Sequence, residues 1–366
     1  MKNSLAKKLS KALQKNGSTI SGIMSENEFA EIPYYVDSGV VGVNLLLSAK
    51  WDGGTPAGRV TMFAGPKSSG KTLLAMNTAK NFQKDFDGTP VLFDSEFASD
   101  SKSLESSGID TDNLVYLPIC NIKDEDKESS LSYQTNELAN AVEKGDKALF
   151  IYDSMGEWQS QRTVANIEKN NTAKDMSITQ EKKAFMSQIL QISGKLSVPS
   201  IVINHSYANL GGFGSATEVS GGGALYKPSQ IIEITSKANW KDEDTKERIG
   251  SIFTAKVYKG RLARENAVYK FAISYENGLS RYYGMHEFAL EGGYIEEAKD
   301  GRSTVYKIKD TDLVIRKKNI YVNPETEEEF WKYLFTNTDF GYFLNDSFAY
   351  GSSKKLKSLV IEDEEK

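Results

Sequence analysis

The 366-residue chain contains one cysteine, Cys120, and two histidines. A single cysteine permits neither an internal disulfide nor a thiolate cluster for a metal, which fits a reducing compartment. No apolar run approaches the roughly 18 residues needed to cross a bilayer. The opening stretch MKNSLAKKLSKALQKNG lacks the apolar core and cleavage site of a secretory signal. A soluble, cytoplasmic protein with no membrane partner is therefore expected. Positive charge is not in excess either: 45 basic residues face 50 acidic ones, for a net charge of −5. A protein that wraps DNA through overall charge is thereby excluded, and any grip on nucleic acid must come from local patches. Internal repeats and low-complexity segments are also missing. What is present, 39% apolar and 26% charged residues, suffices for a packed core under a solvated surface. The length corresponds to two domains, or three.

Residues 4–15 read as a short helix, with Leu5, Leu9 and Leu13 four residues apart and Lys7, Lys8, Lys11 and Lys15 elsewhere. A basic amphipathic helix can lie on a membrane or on nucleic acid. The plainer reading is a helix docked on a core, its own or a neighbour's. From Val60 the pattern changes. Short apolar runs at 60–64, 91–93, 148–152 and 200–203 alternate with helical stretches at 73–82, 124–144 and 179–196. Such alternation predicts a parallel sheet covered on both faces. Runs at 231–235, 251–258 and 267–273 predict later, hairpin-linked antiparallel strands. After about Met285, short helices and β-branched pieces rich in Tyr, Phe and Lys suggest a small C-terminal domain with an acidic tail, Glu362 to Glu365.

The segment Gly65, Pro66, Lys67, Ser68, Ser69, Gly70, Lys71, Thr72 fits G-x-x-x-x-G-K-[ST] in full. Its glycines let the backbone N–H groups wrap phosphates, and the following helix turns its N-terminus toward them. Lys71 supplies charge to the terminal phosphates, and Thr72 a hydroxyl to Mg²⁺. The loop falls between an expected strand and an expected helix, as this chemistry requires. Two acids end neighbouring strands. Asp153 can hold the magnesium hydration shell, and Glu96 can orient and deprotonate a water attacking the γ-phosphate. A strand-end acid taken singly is more often a cap or loop residue, but ligands bind at the carboxyl ends of parallel strands. Asp94 competes with Glu96 for the base role.

Asn204 and His205 end another strand, where they can report nucleotide state to the segment that comes after it. Ser206 to Gly223 holds six glycines and no basic residue. Eighteen residues without periodicity point to a functional or disordered loop. A second such stretch, Gly156 to Ser177, carries Arg162, Lys169, Asn170, Asn171 and Lys174.

Together these residues resemble the RecA-type recombinases, above all the phage branch typified by UvsX. The resemblance runs from about residue 17 to 300. Gly65–Thr72 looks like the family's phosphate loop, and Asp94-Ser95-Glu96 like its Asp-x-Glu element. Leu149 to Ser154 resembles the Walker B strand, and Asn204-His205 the sensor dipeptide. The resemblance makes Glu96 the water-activating base and adds Asp100 to the nucleotide-binding set. Lys259-Gly260-Arg261 resembles a basic pair that reaches ATP bound to the adjacent protomer, and residues 16–24 loosely resemble a subunit-joining strand. Where the family stacks a tyrosine on adenine, this chain has Ser103.

The resemblance implies an α/β fold: a RecA-like P-loop ATPase core, its mostly parallel twisted sheet flanked by helices. The core would occupy residues 31–285, between an N-terminal joining segment (1–30) and a small α+β C-terminal domain (286–366). It implies an ATP- and Mg²⁺-dependent DNA-stimulated ATPase that forms helical filaments on single-stranded DNA and exchanges strands with homologous duplex. Single-strand-binding and loading proteins would assist, in a bacterial cytoplasm if the gene is a phage's. The stretches 156–177 and 206–220 would be the DNA-binding loops, with Arg162, Lys169, Lys174, Tyr207, Phe213, Gly221, Gly222 and Gly223 as DNA contacts; lysines there also suit a plain solvated face, and the aromatics a core. A hexameric RecA-fold helicase and a non-catalytic nucleotide-binding mediator are the other classes these residues admit.

Overall fold

The computed structural model describes residues 4–15, 22–119, 131–143, 145–156, 177–208, 217–219, 227–242, 245–321, 324–352 and 356. Helix α1 (Ser4–Lys15) forms on the leucine repeat, yet Leu5, Leu9 and Leu13 stay 64%, 58% and 52% exposed. Among the described residues, the chain's own core does not cover them. A two-stranded ribbon of β1 (Tyr35–Val36) and β2 (Thr55–Pro56) brackets α2 (Val41–Ser48), which is buried along its whole length.

Strands and helices then alternate as the pattern predicts. They are β3 (Val60–Gly65), α3 (Lys71–Phe86), β4 (Thr89–Asp94), α4 (Ser101–Ser106), β5 (Val115–Pro118), α5 (Leu131–Ala141), β6 (Ala148–Asp153), α6 (Ser177–Leu196) and β7 (Ser200–Ala208). Of the helix expected at 124–144, residues 124–130 and 144 lie outside the described residues. Next come β8 (Thr217–Val219), β9 (Gln230–Lys241), β10 (Arg248–Gly260), β11 (Val268–Ser274) and β12 (Gly278–Leu279). The sheet order is β12-β11-β10-β9-β3-β7-β6-β4-β5, with β8 on the end of β7. From β9 to β5 every pairing is parallel; from β9 to β12 every pairing is antiparallel.

The central parallel strands β3, β4 and β6 are buried and mainly apolar because both their faces are covered, whereas the edge strand β5 is mostly exposed. Phe63, Ile151, Ile203 and Ile232 turn to the side of α2 and α3. Met62, Phe150, Tyr152 and Val202 turn to the other side, where Phe185, Met186 and Ile189 of α6 meet them. Alternation along each strand thus fixes which layer each side chain joins. Strand β9 runs well beyond the apolar stretch expected at 231–235. Ser236, Lys237, Ala238 and Asn239 are exposed and, Ala238 apart, polar, and it is the backbone ladder to β10 that keeps them in the strand.

Helix α7 (Met285–Glu291), the antiparallel sheet β13 (Ile295–Asp300), β14 (Ser303–Ile308) and β15 (Val314–Arg316), and helices α8 (Pro324–Asn337) and α9 (Phe340–Phe348) follow among the described residues. Their apolar residues belong to the same hydrophobic cluster as α2 and α3, so the boundary expected near residue 285 falls inside one continuous core. Trp51 stacks on Phe335 at 4.6 Å and donates its backbone N–H to Asn345 Oδ1 at 2.8 Å. Among the described residues no helix is long and apolar enough to cross a membrane.

Candidate functional site

The carboxyl ends of β3, β4, β6 and β7 converge. Asp94 and Asp153 are register partners, as are Gly65 and His205. The loop between β3 and α3 therefore faces the acids that end β4 and β6, although those acids are separated by about 60 residues in sequence.

Gly70 caps α3 in the left-handed region, at φ +85°. A Cβ there would meet the Ile273 side chain at 3.2 Å, so both conformation and space call for glycine. The buried Lys71 ammonium folds back on its own loop, donating to the carbonyls of Gly65 at 3.0 Å and Pro66 at 2.7 Å. Burial lowers its pKa, against the pull of Asp153 and Glu96. Thr72 Oγ1 donates to Asp153 Oδ2 at 2.7 Å. Burial lifts the Asp153 pKa to about 6, opposed by the Thr72 bond and by Lys71. A buried ammonium held by neutral groups, two carbonyls and the Ser69 hydroxyl at 3.4 Å, beside a hydroxyl–carboxylate pair, is a donor set suited to a polyphosphate with a divalent cation.

The two carboxylates that compete for the base role differ sharply. Asp94 is buried and fully engaged: its Oδ1 accepts the Glu96 N–H at 2.9 Å, and its Oδ2 accepts the Ser99 N–H at 3.1 Å and the Tyr116 hydroxyl at 3.2 Å. It holds the turn that presents Glu96. The Glu96 side chain is one-third exposed, and its Oε1 lies 3.1 Å from both Ser154 Oγ and His205 Nε2. His205 is buried on β7, its backbone N–H donating to Asn204 Oδ1 at 3.0 Å. A Cβ on Gly156 would stand 2.5 Å from the His205 ring, so the first residue of the stretch 156–177 packs directly on the imidazole.

Beyond His205, β7 runs to Ala208 and pairs antiparallel with β8, Tyr207 opposite Glu218. The described ends of the stretch expected to be an aperiodic loop are thus a short ribbon continuous with β7, because backbone pairing needs no apolar pattern. Arg162, Lys169, Lys174, Phe213, Gly221, Gly222 and Gly223 lie outside the described residues, as does the Tyr207 side chain. Residues 16–21 of the expected joining strand lie outside them too.

A cleft of about 370 Å³ opens beside the phosphate loop. Residues 68–73 form one wall; Lys237, Ser251, Phe253, Ile273 and Tyr275 form the other. None of this second set was legible in the sequence. They lie on β9, β10 and β11 or just after it, about 165 to 205 residues from the loop, and only antiparallel pairing brings them over it. Asp100 is not among the residues that line this cleft; exposed, it caps α4, accepting the Ser103 N–H at 3.0 Å, and its hydrogen bonds from Ser103 hold its carboxyl below the usual range. Ser103 is engaged in that cap, and the aromatic rings near the loop are Phe253 and Tyr275 instead.

Lys259 and Arg261 are not brought to this site within one chain. Lys259 is level with Ile231, and Ile231 with Met62, three residues before Gly65 and two strands away. That is roughly 10 Å along the strands and 10 Å across them. The Lys259 ammonium instead donates to the Pro228 carbonyl at 2.9 Å, and the Arg261 N–H to Gln230 Oε1 at 2.6 Å. Burial, then Arg261, lowers the Lys259 pKa.

Comparison with known proteins gives a consistent result. A family model described as the RecA N-terminal domain matches residues 5–280. A recombination and repair protein of Enterobacteria phage T4 is 22% identical over 359 residues, 97% of this chain and 89% of that protein. Protein RecA of Chlorobium chlorochromatii is 29% identical over 282 residues, 73% of this chain and 75% of the relative. Among solved structures, that of the RadB recombinase has 20% identity and a TM-score of 0.48, covering 67% of this chain and 98% of that one.

Proposed function

The chain belongs to the RecA N-terminal domain family, and from that membership we propose that it is an ATP-dependent recombinase. It assembles as a helical filament on single-stranded DNA and pairs that strand with homologous duplex. The phage relative described as a recombination and repair protein, aligned over nearly the whole chain, supports this reading.

Lys71 and the loop amides hold the triphosphate, while Thr72 and Asp153 hold Mg²⁺, which when bound neutralises charge on the phosphate oxygens. Glu96 orients the attacking water and takes its proton. Asp94 does not compete for that role, since three donors already engage its carboxylate. Lys259 and Arg261, out of reach of the loop in their own chain, serve the nucleotide of the neighbouring copy and stabilise charge as the phosphate bond breaks. A site split in this way makes nucleotide binding tighten the subunit contact.

The single observation that carries the proposal is the contact of His205 with Glu96. One imidazole touches the base, packs against Gly156 at the start of one proposed DNA loop, and stands on the strand that enters the other. DNA occupancy and water activation therefore meet at one side chain, an arrangement suited to coupling.

Electron microscopy with single-stranded DNA and a slowly hydrolysed ATP analogue tests the proposal, together with ATP turnover. Continuous filaments and DNA-stimulated hydrolysis are expected, with hydrolysis lowered at least about a hundredfold in Glu96→Gln. Closed six-membered rings would assign the chain to the helicases. Turnover absent in the parent would leave only a mediator.

A further inference from the structure

Strand β9 pairs with β3 only as far as Glu233; from Ile234 to Lys241 it pairs only with β10. The β9–β10 hairpin therefore overhangs the phosphate loop. On it, Lys237 lies directly opposite Phe253, whose ring approaches within 3.9 Å of where a Gly70 Cβ would stand. The exposed Lys237 ammonium is 5.5 Å from the centre of that ring and donates to the Ser68 carbonyl at 3.3 Å. Both lysines of the cleft thus rest in the same way: Lys71 on the carbonyls of Gly65 and Pro66, Lys237 on that of Ser68. The residues that line the cleft include these two ammonium groups and no carboxylate.

Such a cleft favours an anion. A carbonyl is a neutral acceptor and takes one of the three hydrogens an ammonium offers. A phosphate oxygen makes a charge-assisted bond, about twice as strong, and cancels the charge as well. Arg248 stiffens the hairpin wall behind Lys237, donating to Ser251 Oγ at 2.9 Å and lying over the Tyr275 ring.

We propose that Lys237 is a second ammonium group for the polyphosphate, delivered in cis by the β9–β10 hairpin and closing the cleft over the bound nucleotide. This rests on the nucleotide-binding reading above. Lys237 is a positioning and affinity residue: it moves from the Ser68 carbonyl to the phosphates, and the hairpin moves with it.

Equilibrium competition against a fluorescent ADP decides the matter, using the full chain and the variants Lys237→Met and Lys237→Arg. ATP, ADP and inorganic tripolyphosphate should each bind about tenfold more weakly to the Met variant. Adenosine should change by less than about twofold, and Arg should restore most of the loss. The salt dependence of ADP binding should be shallower in the Met variant than in the parent. Unchanged ATP and ADP affinities would overturn the proposal. So would an equal loss for adenosine, which would assign the amine to the base, or a loss confined to filament assembly. A parent chain that binds no nucleotide at all would instead overturn the function on which the inference rests.

Discussion

Two carboxylates two residues apart have opposite fates. Asp94 accepts two backbone N–H groups and a tyrosine hydroxyl in a buried turn, while Glu96 carries its carboxylate into the space beside His205. Their substitutions should therefore fail differently. Asp94→Asn keeps an acceptor oxygen but turns an amide toward groups that donate, which destabilises the turn by about 1–3 kcal/mol. Thermal melts should show that loss, and turnover should persist well above that of Glu96→Gln. Glu96→Gln should melt close to the parent and bind nucleotide normally while hydrolysing almost none. Equal, near-complete loss of turnover in a folded Asp94→Asn would move the base to Asp94.

At the scale of elements, what matters is which ends of the strands share a surface. The ends of β3, β4, β6 and β7 gather the phosphate loop, Asp153, Glu96 and His205, while the end of β10 and the turn after it carry Lys259 and Arg261 away from them. In the proposed filament a head-to-tail contact would reunite the two sets between copies, and such heterologous contacts propagate into helices when they do not close. Mixing subunits checks this. Lys259→Ala and Glu96→Gln chains should each be nearly inactive alone with DNA. Together in equal amounts they should recover about a quarter of the parent rate, since one ordered neighbour pair in four is intact. No recovery would return Lys259 to its own subunit. The uncovered leucine stripe of α1 fits the same picture, because an isolated twelve-residue helix is marginal in water.

Of the two apolar clusters among the described residues, one passes from the phosphate-loop helix into the C-terminal helices. Glu327 is buried at this junction, 3.5 Å from the Ser280 hydroxyl and facing Tyr269, Tyr282, Tyr321 and Glu328. Burial raises its pKa to about 8 from a usual 4.5. Above pH 4.5 the unfolded chain gives up that proton while the folded chain keeps it, so stability falls as pH rises toward 8. The loss approaches about 5 kcal/mol at most. Glu327→Gln should therefore raise the melting temperature at about pH 8.5 and leave it nearly unchanged at about pH 4.5. His286, beside Tyr306, Tyr321 and Lys317, adds a pH dependence on the acid side. Burial lowers its pKa to about 4, so stability declines as pH drops from 6.5 through 4. A melting temperature of Glu327→Gln that tracks the parent at every pH would remove Glu327 from this account.

The features that could be read in advance rest on chemistry that is local along the chain. Gly65 to Thr72 is contiguous, so its spacing announces a phosphate loop, and runs such as Ala148 to Tyr152 are apolar because a strand covered on both faces must be. The opening helix and the alternation of strands and helices were legible for the same reason. Lys237, Phe253 and Tyr275 carried no such signal: a polar strand segment and two ordinary aromatics become the wall of a nucleotide cleft only when β9, β10 and β11 pair beside β3. Contact between Glu96 and His205, 109 residues apart, likewise depends on the order of strands in the sheet. The amino-acid sequence by itself determined the kind of chemistry and the class of fold, since motif geometry and side-chain alternation act over a few residues. Only the tertiary structure decided which groups share a site and which need another copy, because strand order and hairpin overhang are set by long-range packing that no short stretch encodes.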